Sequence, residues 1–243
     1  MEASVYHETS DYQLEDGIKL LEIICPGLNE KVLDIGCGTG RLSKVISKRV
    51  GNGGKVIGVD PDEERIKIAI NERKGYNNIQ FMVGSDQTFP EDKYDAIVST
   101  DVFHWIKDKE PLFKRIYDNL KPGGKLGFTT FDGNARPDLL IEIFRLCGPK
   151  TYEAAMSCVY CDTGQKYKEL AAAIGFDVML LDVKARKNIF PNLDAFIDFF
   201  YAVYYGMFDR DDPGLNDLKE RYKGQPVPME LQRLTMILTK PLE

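Results

Sequence analysis

The sequence predicts an α/β fold built on a doubly wound, mostly parallel sheet, with helical cap elements over one edge. Three observations predict it. Short apolar runs alternate with amphipathic stretches from Lys31 to Thr130, the first run ends in a glycine-rich turn, and a Lys-Pro-Gly-Gly turn precedes the fifth run. Lys31–Ile35 (KVLDI) reads as a buried strand. Arg41–Val50 places Leu42, Val45, Ile46 and Val50 on one helical face, and the glycines of Gly51–Gly54 end it. Lys55–Asp60 is the second strand. Pro61 then opens a helix with Asp62, Glu63 and Glu64 in its first turn and Ile66, Ala69 and Ile70 facing inward. Ile79–Val83 and Tyr94–Ser99 are the third and fourth strands. Pro111–Leu120 is a helix stopped by Lys121-Pro122-Gly123-Gly124, and Lys125–Thr130 is the fifth strand. Later in the chain, helices are expected near Asp138–Cys147, Gly164–Ile174 and Leu193–Tyr205. Strands are expected at Val178–Val183 and Leu234–Leu238.

Composition narrows the function. The 243 residues are 43% hydrophobic and 29% charged, with a net charge of −6, which disfavours a nucleic-acid partner. The opening MEASVYHETS lacks the basic start and apolar run of a signal peptide. Leu193–Phe208 is apolar but too short for a bilayer, and it carries Asp194 and Asp198. A cytoplasmic protein with no membrane span is expected. The five cysteines do not suggest a disulfide framework. Cys158-Val159-Tyr160-Cys161 is a lone CxxC with no second pair, so no metal site is expected. The expected organisation is one domain. Residues 1–30 form a helical lid, 31–130 a cofactor-binding core, and 131–243 substrate-side helices with the last two strands.

The glycine turn reads Asp34-Ile35-Gly36-Cys37-Gly38-Thr39-Gly40. In open α/β sheets ligands bind at the carboxyl ends of strands, and glycine lets the backbone approach them. Asp60 ends the second strand, where a carboxylate can accept ribose hydroxyls. Arg41 stands where a GxGxxG dinucleotide motif would need glycine, which argues against NAD. Together with the Leu120-Lys121-Pro122-Gly123-Gly124 turn, these residues closely resemble the class I S-adenosylmethionine-dependent methyltransferases. The resemblance covers Lys31 to Thr130. It implies a seven-stranded, Rossmann-like methyltransferase sheet whose last strand runs antiparallel, and S-adenosyl-L-methionine as cofactor. It places Gly36, Gly38 and Gly40 along the methionine end of the cofactor, with Asp34 orienting it and Asp60 on the ribose. Thr100, at the end of the fourth strand, joins this set. Where many relatives carry Gly-Asp after the third strand, this chain has Gly84-Ser85-Asp86, so either Ser85 or Asp86 meets the adenine amino group.

The loop Ser99-Thr100-Asp101-Val102-Phe103-His104-Trp105 lies where a methyl acceptor must sit. It lacks the Asp/Asn-Pro-Pro-Tyr signature of amino-directed nucleic-acid enzymes. Its Ser…His-Trp spacing resembles small-molecule carboxyl methyltransferases of the trans-aconitate and juvenile-hormone-acid type. Those families also place a glutamine in an N-terminal lid. Gln13, just before a helix over Leu14–Ile24, fits that place, and Tyr6 could close over the methyl site. The acceptor is therefore expected to be a small molecule methylated at a carboxylate oxygen, with Gln13 and His104 as catalytic residues, His104 taking a proton, bonding a carboxylate or locking the loop. Trp105, Tyr204 and Tyr205 are the other expected substrate neighbours, within or beside a helix whose Phe196, Phe199, Phe200 and Val203 share one face. Two alternatives stay open. One is N-methylation of a small amine held by Asp11, Asp101 or Asp132. The other is a non-catalytic subunit that binds a protein partner, whose identity the sequence leaves unknown.

Overall fold

The computed structural model describes residues 2–9, 11–133 and 136–242. Its strands are β1 (Lys31–Ile35), β2 (Lys55–Asp60), β3 (Ile79–Val83), β4 (Tyr94–Thr100), β5 (Leu120–Phe131), β6 (Asp177–Phe190) and β7 (Val227–Thr239). Among the described residues they form one seven-stranded sheet in the order β3-β2-β1-β4-β5-β7-β6. The pairings from β3 through β5 are parallel, with Leu33 opposite both Ile57 and Ile97. The pairings β5–β7 and β7–β6 are antiparallel, so β7, the last strand, runs against the other six; the sheet is mixed, with its parallel pairings confined to the first five strands. The strand order reverses between β1 and β4, and the carboxyl ends of those two strands open the crevice where this kind of sheet binds ligands.

The helices are α1 (Glu2–Thr9), α2 (Asp11–Ile24), α3 (Arg41–Val50), α4 (Glu63–Glu72), α5 (Glu110–Asn119), α6 (Asp138–Leu146), α7 (Pro149–Ser157), α8 (Gly164–Ile174), α9 (Leu193–Val203) and α10 (Asn216–Arg221). One face of the sheet packs Phe113 of α5 and Tyr167 of α8 against Phe128 and Met236. The other packs Leu20 and Leu21 of α2 and Ile46 of α3 against Val98 and Ile237. A third apolar cluster lies beyond the sheet's carboxyl edge, where Phe196, Phe199 and Phe200 of α9 meet Phe144 of α6 and Val227, Met229 and Leu231 of β7.

Several boundaries differ from the expectation. Helix α4 starts at Glu63 rather than Pro61, because Asp62 caps it: its carboxylate accepts the Glu64 and Arg65 amides at 2.9 and 3.1 Å. Helix α2 begins at Asp11, so Gln13 lies within its first turn. The last two strands run well past 178–183 and 234–238. Their outer halves pair with each other beyond the end of β5, as Arg186 does with Leu231 and Phe190 with Val227, in a ribbon that reaches under the cap. The inward residues of that ribbon on β7, Val227, Met229, Leu231 and Arg233, are buried alternately with exposed neighbours. Helices α1, α7 and α10 have no counterpart among the individual helices that the sequence predicts.

A buried ionic cluster joins the lid, the sheet and this ribbon. Arg233 forks onto Asp101 with Nη1 and Nη2, the latter at 2.7 Å, and Nη2 also donates to Thr129 Oγ1 at 3.0 Å. Its Nε lies 3.2 Å from Asp16 Oδ2 on α2, and Arg186 Nε lies 3.3 Å from the other oxygen of Asp16. Burial alone would lower the Arg233 pKa, but the surrounding carboxylates raise it. Asp101 has a left-handed backbone, φ +60°, which a side chain held on both oxygens can sustain. Arg233→Met should therefore destabilise the fold by about 3–5 kcal/mol, the range for stripping one partner from a buried ion pair, as read by urea unfolding.

Candidate active site

The turn after β1 folds back over β2. The amides of Gly36 and Cys37 both donate to the Val59 carbonyl, at 2.8 and 2.9 Å. Gly36 has φ +72°, and a Cβ there would lie 2.0 Å from Val102 Cγ2, so no other residue fits. Gly40 caps α3 with φ +78°, and its missing Cβ makes room for the Phe81 ring, 2.4 Å from where that carbon would be. Gly36 lines the crevice. Gly40 faces protein instead: it serves the packing of α3 on β3 and lines neither cavity on the cofactor side. Gly38 does not line them either, but its amide donates to Asp60 Oδ2 at 2.8 Å.

Two buried carboxylates face this crevice. Asp34 accepts the Ser43 hydroxyl at 2.6 Å, and burial, with the nearby Asp60 charge adding to it, pushes its pKa up to about 7. Asp60 accepts the amides of Gly38 and Asp62, yet burial still raises its pKa against the pull of Arg65. A cavity of about 260 Å³ is lined by Asp60, Ser85, Asp86, Thr100, Asp101 and Trp105. A smaller one, about 30 Å³, is lined by Asp34, Gly36, Arg41, Thr100, Tyr6 and Gln13. Thr100, Gly36 and Tyr6 border both. Buried acidic groups here fit a cationic ligand with hydroxyls to donate, as S-adenosylmethionine is; Asp34 could hold its ammonium group and Asp60 its ribose hydroxyls. At the far end Ser85 engages its hydroxyl within its own turn, with Thr88 Oγ1 at 3.2 Å and the Gln87 amide at 3.1 Å. Asp86 reaches the same cavity without such a commitment.

One wall of the larger cavity carries a cation–π cluster. The Arg65 guanidinium lies between the Tyr6 ring of α1, 4.0 Å from its centroid, and the Tyr205 ring just past α9, at 4.3 Å. Arg65 also donates to the Ala202 carbonyl at 2.9 Å and to the Tyr205 hydroxyl at 3.3 Å. Tyr205 thus borders the cofactor-side cavity and not the acceptor side where it is expected, because α9 ends at Val203 and Tyr205 takes a left-handed turn, φ +53°.

A third cavity, about 50 Å³, lies on the other side of Gln13. Its walls are mainly apolar: Phe131, Leu140, Phe199, Phe200, Met229 and Leu231. Gln13 borders it and the methionine-side cavity alike, while Asp101 and Trp105 border it and the larger cavity. Gln13 Oε1 is buried without a hydrogen-bond partner. His104 is buried, its Nδ1 is 3.2 Å from Thr130 Oγ1, and its ring packs on Trp105 and Phe131. Burial pulls its pKa down to about 3, so the imidazole is neutral. Trp105 meets Tyr204 edge-on at 5.3 Å.

Residues 6–181 match the family described as Methyltransferase domain, and the chain belongs to it, as a class I S-adenosylmethionine-dependent methyltransferase. A curated relative, malonyl-[acyl-carrier protein] O-methyltransferase 1 of Ilyobacter polytropus, is 37% identical over 114 residues, covering 46% of this chain and 42% of that protein. Arsenite methyltransferase of Aquipseudomonas alcaligenes is 33% identical over 120 residues, 44% of this chain and 35% of that one. The chain thus spans less than half the length of these relatives. Among solved structures, a SAM-dependent methyltransferase from Aquifex aeolicus superposes with a TM-score of 0.59 at 16% identity, covering 99% of this chain and 98% of that one. The YcgJ protein of Bacillus subtilis gives 0.63 at 17%, covering 95% and 98%. No helix among the described residues is long and apolar enough to cross a membrane.

Sequence reasoning missed Arg65, Arg136 and Arg233. For Arg136 a signal existed: it is a cation between β5 and α6, at the sheet's ligand-binding edge. Two outcomes test the cofactor side. Asp86→Ala should weaken S-adenosylmethionine binding about 10-fold or more and Ser85→Ala less than about 3-fold, by calorimetry. The second concerns Asp34. Its folded pKa lies above its ordinary 3.8, so the folded chain keeps a proton that the unfolded chain has lost. That stability is present at low pH and is lost as pH rises toward about 7. The ligand-free protein should lose roughly 1–4 kcal/mol between pH 4 and 8, and Asp34→Asn should flatten the curve, measured by urea unfolding.

Proposed function

We propose that the protein transfers the methyl group of S-adenosylmethionine to a carboxylate oxygen of a small acid. The observation that carries this reading is that the acceptor cavity offers a positioning amide, Gln13, beside the methionine end, but no base among its described lining residues. His104 is buried, its Nδ1 is engaged by Thr130 at 3.2 Å, and burial draws its pKa down, which disfavours it as a base for a hydroxyl proton. Asp101 is held on both oxygens by Arg233. An acceptor that arrives already ionised needs neither, and a carboxylate does so.

The bound cofactor supplies an electrophilic methyl group. The chain's own residues hold the acceptor and exclude water. Gln13 stands in the shared wall, where its amide can donate to a carboxylate oxygen and keep it aligned. The aromatic walls from α9 and the β7 ribbon strip water from the nucleophile. His104 holds the loop after β4 against Thr130 of β5. The name of the Ilyobacter relative supports an oxygen acceptor. An amine acceptor is supported less well, because its expected partners are otherwise engaged. Asp11 pairs with Arg41 at 2.5 Å, Asp132 accepts the Gly164 amide at 2.5 Å, and Asp101 is neutralised.

At saturating cofactor the rate should be flat from about pH 6.5 upward, since an ordinary carboxylic acid titrates well below that. His104→Gln should retain activity within about 10-fold, far from the loss expected of a general base, while Gln13→Ala should mainly raise KM. A rate that climbs through one ionisation near neutrality and collapses in His104→Gln would assign a hydroxyl acceptor instead.

A further inference from the structure

The acceptor cavity holds one charged side chain whose role the reaction does not explain. Arg136 lines it, two residues before α6. Its Nη2 donates to the carbonyls of Met156 and Val159, at 3.2 and 3.1 Å, and its Nε is buried with no partner. No described carboxylate pairs with it. The two buried arginines near the site differ from this half-buried one: Arg65 lies 3.3 Å from Asp62, and Arg233 has Asp101 and Asp16. With Asp101 matched by Arg233 and His104 neutral, Arg136 is the uncompensated charge among the described residues lining an apolar cavity. Arg136 is half-buried, and a cation that faces an apolar cavity without a carboxylate partner favours an anion there.

That anion need not be the reacting group. The reacting carboxylate loses its charge as the ester forms. A guanidinium bound to it would stabilise the ground state more than the transition state and slow the reaction. A neutral amide carries no such penalty, and Gln13 is the residue that borders both the methionine-side cavity and the acceptor cavity. Arg136 borders only the acceptor cavity, and its anchors are carbonyls at and beyond the end of α7, away from the glycine turn. Tyr204 lies beside it, and the Arg136 charge draws the tyrosine hydroxyl pKa down against the larger upward effect of burial. A guanidinium flanked by a phenol makes a fork suited to a carboxylate that keeps its charge throughout.

We infer that Arg136, with Tyr204, binds a second, non-reacting carboxylate, so that the preferred acceptor is a dicarboxylic acid and the product its monoester. This rests on the carboxylate reading above. The test is methyl transfer from labelled cofactor to matched linear acids of equal carbon number, octanedioic and octanoic acid among them, by wild-type protein, Arg136→Gln and Arg136→Lys. Wild type should favour the diacid by about 10-fold or more in kcat/KM. Arg136→Gln should lose about 10–100-fold on the diacid, chiefly through KM, and stay within about 3-fold on the monoacid. Arg136→Lys should fall between them. Unchanged cofactor affinity by calorimetry shows that the variants are folded. Equal use of both acids by wild type, or an equal loss on both in Arg136→Gln, overturns the diacid inference while leaving the carboxylate reading standing. Failure of wild type to methylate any acid overturns both.

Discussion

The site depends on one buried cation. Arg233 reaches from β7 to Asp101 at the end of β4, to Thr129 of β5 and to Asp16 of α2, so it fastens lid, parallel sheet and antiparallel ribbon at a single point. Removing such charges from water is costly, and that cost is offset only when each finds its partners in good geometry. Register follows from this. With Asp16 fixed, the first turn of α2 presents Gln13 to the wall between two cavities. With Asp101 fixed in a left-handed turn, the chain swings outward and brings Phe103 into the core and His104 and Trp105 to the acceptor side.

The parallel half of the fold was legible because each of its elements is short and dictated locally. Lys31–Ile35, Lys55–Asp60 and Ile79–Val83 are found as strands over those same residues, and the strands are buried apolar runs bounded by glycine, proline or charge. The antiparallel half was less legible. The outer part of β6, Lys184–Phe190, mixes lysine and arginine with isolated apolar residues, since much of it faces solvent, and its strand character comes from pairing with β7. Its partner's alternation, with Val227, Met229 and Leu231 inward, was present in the sequence but interrupted by Pro228. Helix α7 buries little beyond Ala155 and therefore carries a weak apolar stripe.

The site divides along similar lines. Carboxylates at strand ends, Asp34 and Asp60, can be read because strand ends are predictable and the sheet's ligand edge is known. Residues that act from turns and cap helices cannot be read in the same way, because their positions depend on the tertiary path. Tyr204 and Tyr205 are adjacent in sequence, yet one packs on Trp105 and borders the acceptor cavity while the other turns to Arg65. Gly40 shows a related limit: a glycine-rich turn mixes glycines that face the crevice with glycines that only permit helix and strand to touch.

The Arg65 cluster has a consequence for how distant parts of the chain are tied together. Tyr6, Arg65 and Tyr205 come from α1, α4 and the turn just past α9, and Arg65 and Tyr205 are 140 residues apart. One guanidinium thus serves two aromatic rings that both line the larger cavity. A substitution at Arg65 removes the partner of both rings at once, so two segments far apart in the chain share a single point of vulnerability at the cofactor side.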